Sequence, residues 1–307
     1  MKRGTRLGLL VSACLVLAYA PVVPAASGKE GKSLRVVSDR TVTGFPFPES
    51  VGCDAKSKVL YVGQFVSGLK PADKDSQGKI SKVSLDGKVL EDRFLPTGSD
   101  VLHKPKGIWI QGNRLWVTDI DAVWVFDLKS RKGRKLELTG MGFANDPTVR
   151  GNDLYISDNR NDLLYRVEPA DFLNLKGSPQ IGIVFAGKGI NPNGLYPARD
   201  GSILMGGFMS DKVARGIYSL GKDGEIKTLA PDLGRIDGIY QLKDGTLLVT
   251  DWNSGSLAHW APKAGLQPLA KGFKGPADFC VIPDAKGYSV FAPDLAKSEL
   301  RLIRLAP

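Results

Sequence analysis

A short phrase that recurs through the chain constrains its fold more than any other feature. Pro105-Lys106-Gly107-Ile108, Pro192-Asn193-Gly194-Leu195 and Ile236-Asp237-Gly238-Ile239 are its clearest copies. Degenerate copies stand at Pro48-Glu49-Ser50-Val51, Ala144-Asn145-Asp146-Pro147 and Pro276-Ala277-Asp278-Phe279. The six second positions, 49, 106, 145, 193, 237 and 277, are 39 to 57 residues apart. Four-stranded propeller blades repeat at roughly 40 to 50 residues. No stretch of about 15 residues has helical periodicity, whereas Val59 to Val62, Leu115 to Thr118, Leu154 to Ser157 and Leu247 to Thr250 read as strands. Glycine supplies 36 of the 307 residues without any fixed period, which fits many tight turns between short strands. The reading is an all-β chain folded as a six-bladed β-propeller of four-stranded blades. The sixth copy has too few strands after it, and Leu34 to Val42 is a spare strand before the first. Pairing the N-terminal strand with the C-terminal blade would close the ring and cover exposed edges.

The first 25 residues stand outside this repeat. Lys2, Arg3 and Arg6 precede an uncharged apolar run from Leu7 to Ala20, then Pro21, Pro24 and small residues, the pattern of a signal peptide cleaved after Ala25. The run is too short for the roughly 20 residues of a spanning helix, so no stable membrane insertion is expected. Val11-Ser12-Ala13-Cys14 also matches the residues before a lipid-modified cysteine, but Leu15 to Ala20 continues the apolar run where a polar tether would belong. The expected organisation is a signal peptide over 1–25, a segment with the closing strand over 26–43, and the propeller over 44–307, in an exported protein, periplasmic or secreted. Loss of the leader lowers the formal charge of +10 by its three basic residues. The remaining basic cluster, Lys129 to Lys135, reads as a solvated strand edge, and no nucleic-acid-binding motif accompanies it.

In a propeller the innermost strands line a central channel, so the six second positions should converge at one mouth. Glu49, Asn145, Asn193 and Asp237 would bring four oxygen-bearing side chains there, with Lys106 and Ala277 completing the ring. Two carboxylates and two amides suit a hard divalent cation, calcium best, since a set drawn from four blades has little reason to be rigidly octahedral. With two histidines and three cysteines in the whole chain, a zinc site is a poor fit.

These residues resemble the ligand pattern of the senescence-marker-protein/gluconolactonase family, the regucalcin-like six-bladed propellers. The resemblance covers about residues 44 to 305. A Glu in blade one, Asn-Asp in blade three, Asn-Gly in blade four and Asp-Gly in blade five correspond to Glu49, Asn145-Asp146, Asn193-Gly194 and Asp237-Gly238. Each dipeptide alone is a common turn sequence; four in order at blade spacing are more specific. The resemblance implies a calcium-dependent hydrolase that opens lactones or related small cyclic esters. The cation would polarise the carbonyl, and Asp237 would help deprotonate the attacking water. Glu49 would be chiefly a metal ligand, Asn145 a ligand or a substrate contact, and Asp146 an orienting group behind it. Two departures count against sugar lactones: Ser50-Val51 follows Glu49 where Gly-Pro is common, and Phe143 stands where regucalcin-like members carry an arginine. Two readings of Lys106 stay open, a grip on a substrate carboxylate or phosphate and a side chain turned to solvent. A non-catalytic propeller, with the metal as a structural pin beneath a ligand- or protein-binding surface, is the competing reading.

Other features need weighing. His103, close before Lys106, is placed to shuttle protons at the mouth or to serve the fold alone; His259 falls in an outer strand. Asp73, Asp75 and Gly78 echo part of a calcium loop, but Ser84 and Leu85 stand where its bidentate acid belongs, so a turn is expected. Asp119, Asp158 and Asp251 recur after Thr or Ser at the ends of second strands, which suggests turn closure. Cys53 and Cys280 lie in the inner strands of neighbouring blades. An exported location permits their disulfide; buried free thiols are the alternative. No dinucleotide-binding or c-type haem pattern is present.

Overall fold

The computed structural model describes Met1 and residues 34–307. The proposed leader and Cys14 lie outside the described residues. Six antiparallel sheets of four strands make six blades, five of them from four consecutive strands. The inner strands are Pro48–Asp54, Pro105–Gln111, Ala144–Arg150, Pro192–Pro197, Ile236–Gln241 and Cys280–Asp284. Second strands such as Val59–Gln64 are buried along their whole length, because blades cover both of their faces, and their sequences are correspondingly continuous apolar runs. Outer strands such as Gln180–Ala186 are largely exposed.

The hydrophobic core is divided among the blade interfaces. One cluster joins blades one and two through Ile80, Phe94, Leu115 and Phe126. The next joins blades two and three through Trp116, Val125, Leu154 and Ile156, and four others repeat the arrangement around the ring. Each fully buried Leu, Ile, Val or Phe contributes about 1.5–3 kcal/mol, so stability is distributed evenly and no single blade holds the core.

Closure is double. The strand Arg35–Thr43 pairs antiparallel with Glu299–Ala306, from Arg35 opposite Ala306 to Thr43 opposite Glu299, and becomes the outer strand of blade six. Arg301 Nε donates to Asp39 across this seam at 3.0 Å. On the channel side Cys53 and Cys280 form a disulfide between the inner strands of blades one and six, with Cα atoms 5.7 Å apart. The bond resolves the alternative that the sequence left open.

All six inner strands share one irregularity. The pairing register slips by one residue between Pro48 and Ser50, Pro105 and Ile108, Ala144 and Pro147, Pro192 and Leu195, and Ile236 and Ile239. In blade six the isolated Pro276–Asp294 bridge is offset by one from the Cys280–Phe291 pair. A β-bulge leaves one residue unpaired and re-aims side chains. Here it falls on the recurring phrase, which is therefore a bulge signature and in five blades lies within the inner strand.

Candidate functional site

The bulges bring the predicted residues into the channel. Glu49, Lys106, Asn145, Asn193, Asp237 and Ala277 are all buried, none more than 6% exposed. The glycines that follow three of them have no room for a side chain. A Cβ on Gly194 would lie 2.0 Å from Asp237 O, and one on Gly107 would lie 2.1 Å from Asp146 Oδ1. Neither glycine has a positive φ. Close approach between neighbouring inner strands requires them, rather than the turn conformation that Asn-Gly and Asp-Gly suggest in a sequence.

Second-strand hydroxyls fix this packing. Ser157 Oγ donates to Asn193 O of the next blade at 2.7 Å and accepts from Asp146 N at 2.9 Å. Thr250 Oγ1 donates to Ala277 O at 3.0 Å and accepts from Gly238 N at 2.7 Å. Thr118 makes the equivalent bond to Asn145 O. The aspartates after these residues tie down the segments entering the inner strands. Asp119 accepts from His103 N and Lys104 N at 2.8 and 2.7 Å, Asp158 from Gly142 N at 2.7 Å, and Asp251 from Arg235 N at 3.0 Å. Asp294, which the sequence reading overlooked, does the same in blade six through Lys274 N and Gly275 N.

The electrostatics of the ring are unusual. Burial, and then the neighbouring Asp237, push the Glu49 carboxyl well above the ordinary carboxylate range, with Lys106 partly opposing. Burial likewise raises Asp237 to about 7 against a hydrogen bond from Trp252 Nε1 to its Oδ2 at 2.8 Å. Glu49 Oε2, Asn193 Oδ1 and Asp237 Oδ1 are buried and have no hydrogen-bond partner. All three are acceptors, so a hydrogen-bond donor or a cation would satisfy them. Among the described residues no three His, Cys, Asp or Glu side chains converge as a metal site. A cation here would rest on Glu49 and Asp237 together with neutral oxygens of Asn193 and Asn145. That donor set fits a hard divalent ion.

Around the ring the structure places the remaining candidates. Lys106 is fully buried, which excludes the solvent-facing reading. Its Nζ lies 4.2 Å from the centre of the Phe143 ring, whose other close cation is Arg160, at 4.8 Å. Burial lowers Lys106 to about 8, with Glu49 opposing. Asp146 Oδ2 accepts from Leu195 N at 2.6 Å, so its carboxylate is anchored to blade four and makes no bond to Asn145. His103 Nδ1 accepts from Ser76 N at 3.0 Å, tying it to the blade-one insertion, while His259 bonds Thr246 Oγ1 at 2.8 Å in a third strand. Asp75 serves that insertion too: it meets the buried Lys104 Nζ at 2.5 Å. Burial would raise Asp75, but hydrogen bonds from Lys104 and Ser67 prevail and hold it at about 2.

Sequence reasoning missed Asp278, Trp252 and Lys104. The signal for Asp278 was present, since Ala277-Asp278 occupies the same place as Asn145-Asp146. Asp278 N donates to Glu49 O at 3.1 Å, and burial followed by Asp237 raises its carboxyl well above the ordinary range. Trp252 reaches the site from outside the recurring phrase, Lys104 braces the blade-one insertion through Asp75 and Ser67, and no local pattern marks them.

No family model matches the sequence and no curated protein is similar to it. Solved structures do share its fold. A protein provisionally classed as a gluconolactonase superposes with a TM-score of 0.63 at 12% identity, covering 89% of this chain and 98% of its own. Virginiamycin B lyase from Staphylococcus aureus gives 0.60 at 15% identity, covering 90% and 100%. A chain from a nidogen/laminin complex gives 0.53 at 20% identity, covering 75% and 95%. The six-bladed propeller is common ground between this chain and the gluconolactonase-like structures. At these identities the likeness is one of fold.

Proposed function

We propose that the protein is an exported hydrolase of lactones or related small cyclic esters that depends on a divalent cation, calcium by preference, at the Glu49 mouth of the channel. The observation that carries this reading is the set of three orphaned acceptor oxygens on Glu49, Asn193 and Asp237. They belong to three blades, and each sits on the bulge that turns it inward. The cation would supply Lewis acidity toward the ester carbonyl. The protein residues supply the rest. Trp252 holds Asp237 by Oδ2, and the carboxylate, beside the cation, accepts a proton from the attacking water. Water adds to the carbonyl carbon, the ring C–O bond breaks, and the proton passes to the departing alkoxide to give the hydroxy acid. Lys106, held over Phe143, lies beside Glu49 and favours a substrate carrying a carboxylate. Asn145 is placed to contact the same substrate or the cation.

Export is supported by the charged and apolar leader and by the Cys53–Cys280 disulfide, which persists in oxidising compartments. Replacing one histidine makes the Staphylococcus aureus lyase catalytically inactive; here both histidines are engaged with Ser76 and Thr246 outside the oxygen ring, which favours hydrolysis without a histidine base. The second reading, a binding propeller with a structural cation, draws on Lys106 and Phe143 occupying the mouth and on the nidogen-type propeller found in a protein complex. One assay separates them: hydrolysis of a lactone panel by wild type with calcium, wild type with chelator, and Asp237→Asn. The hydrolase reading expects calcium-dependent turnover that falls by at least about a hundredfold in the variant. No turnover of any panel member by calcium-loaded protein would leave the binding reading.

A further inference from the structure

The channel has a second end. Beyond the oxygen ring, residues one to four places further along the inner-strand segments enclose a cavity of about 280 Å³. Its wall is aromatic. Trp109 and Tyr196 reach across from blades two and four with centroids 6.4 Å apart and ring planes 73° apart. Tyr240 of blade five lies 4.9 Å from Tyr196.

At the base of the cavity are Asp146 and Asp278. Asp146 is 4% exposed; Oδ2 accepts from Leu195 N, and Oδ1 carries no hydrogen bond. Asp278 faces Ser50 Oγ at 3.4 Å. Among the described residues neither carboxylate forms an ion pair with a lysine or arginine. A cation at the upper ring answers Glu49 and Asp237. It leaves this lower pair without a counter-ion, beneath aromatic faces whose quadrupoles also favour positive charge.

We propose that the lower cavity is a binding site for a small alkylated ammonium ion, its head against Asp146 and Asp278 and its carbon shell against Trp109, Tyr196 and Tyr240. Aromatic faces with few free hydrogen-bond acceptors suit an alkylated nitrogen better than a hydrated inorganic ion. The volume lies just below the roughly 300–1,000 Å³ of drug-sized sites and calls for a compact ligand. The aromatic lining residues lie further along the inner strands than the oxygen ring, so the occupant is distinct from the ester substrate.

Choline provides the probe, and 3,3-dimethylbutan-1-ol its uncharged isostere. Titration calorimetry of the whole protein should give saturable binding of one choline, with the neutral isostere at least about tenfold weaker. Tyr240→Leu should weaken choline about tenfold while calcium still raises the melting temperature as in wild type. Trp109→Leu replaces that variant if its near-ultraviolet circular dichroism shows a disturbed fold. The proposal is overturned if choline does not bind, if the isostere binds equally well, if the folded variant binds choline like wild type, or if calcium displaces choline competitively and thereby marks an inorganic-cation site.

Discussion

Gly194 is the residue where local sequence and tertiary structure part most clearly. Its place after Asn193 suggests a turn, yet it lies in an inner strand with Asp237 O where a Cβ would stand. Since that obstacle is backbone, no side-chain rearrangement can make room, and Gly194→Ala should destabilise by about 3 kcal/mol or more. Chemical denaturation checks this, with Gly182→Ala as a control because nothing lies within 4 Å of its Cβ position. Asp237 gives the second prediction at this scale. Its folded carboxyl titrates near 7, against 3.8 for an unburied one. Between about pH 4 and 7 the folded chain therefore keeps a proton that the unfolded chain has released, and stability falls as the pH rises through that window. Glu49, Asp146 and Asp278 are raised as well and act in the same direction. The metal-free protein should be less stable at pH 7.5 than at pH 5.5 by an amount on the order of a few kcal/mol and so melt at a lower temperature, and calcium should flatten the slope by taking the proton's place. A metal-free melting temperature that rises over this range would contradict the burial of these acids.

The element that shapes the site is the bulged inner strand. A regular strand presents alternate residues to one face, and it could not deliver Asn145 and Asp146 together to the channel. The recurring phrase was legible because each copy places a proline or apolar residue before the bulge and a glycine, serine or aspartate within it. What the phrase does was not legible, since a bulge is defined by its partner strand. Cys53 and Cys280 show the same limit. Counting from Glu49 and Ala277 leaves their relative facing open, whereas the parallel bridge between Ser50 and Asp278 aligns the two strands and the bulges alter the count. Their disulfide spans 227 residues, and a loop of that length corresponds to about 5 kcal/mol as an upper bound in the chain-entropy account. Cys53→Ser should lower the melting temperature while leaving the pairing of Arg35–Thr43 with Glu299–Ala306 protected from amide hydrogen exchange. Loss of protection along that strand pair would mean that the disulfide, and not the closing strand, holds the ring shut.

Across the whole molecule, six blades, their order and the closing strand were all legible, because a repeat of near-constant length allows few other architectures. The burial of Glu49, Asn145, Asn193 and Asp237 follows from the same position read in each copy. The second tier was not legible: Asp278 was present in the phrase but passed over, and the partners of Trp252 and Lys104, Asp237 and Asp75, are set by strand pairing and loop packing that no local pattern shows. The central claim is that Glu49, Asn193 and Asp237 leave acceptor oxygens unpartnered because a divalent cation belongs between them. Calorimetric titration of calcium into chelator-treated protein at pH 7 tests it most directly. The account predicts one site, protons released on binding, and at least about tenfold weaker binding for Glu49→Gln and for Asp237→Asn. Absence of binding by wild type, or equal binding by all three proteins, would contradict it.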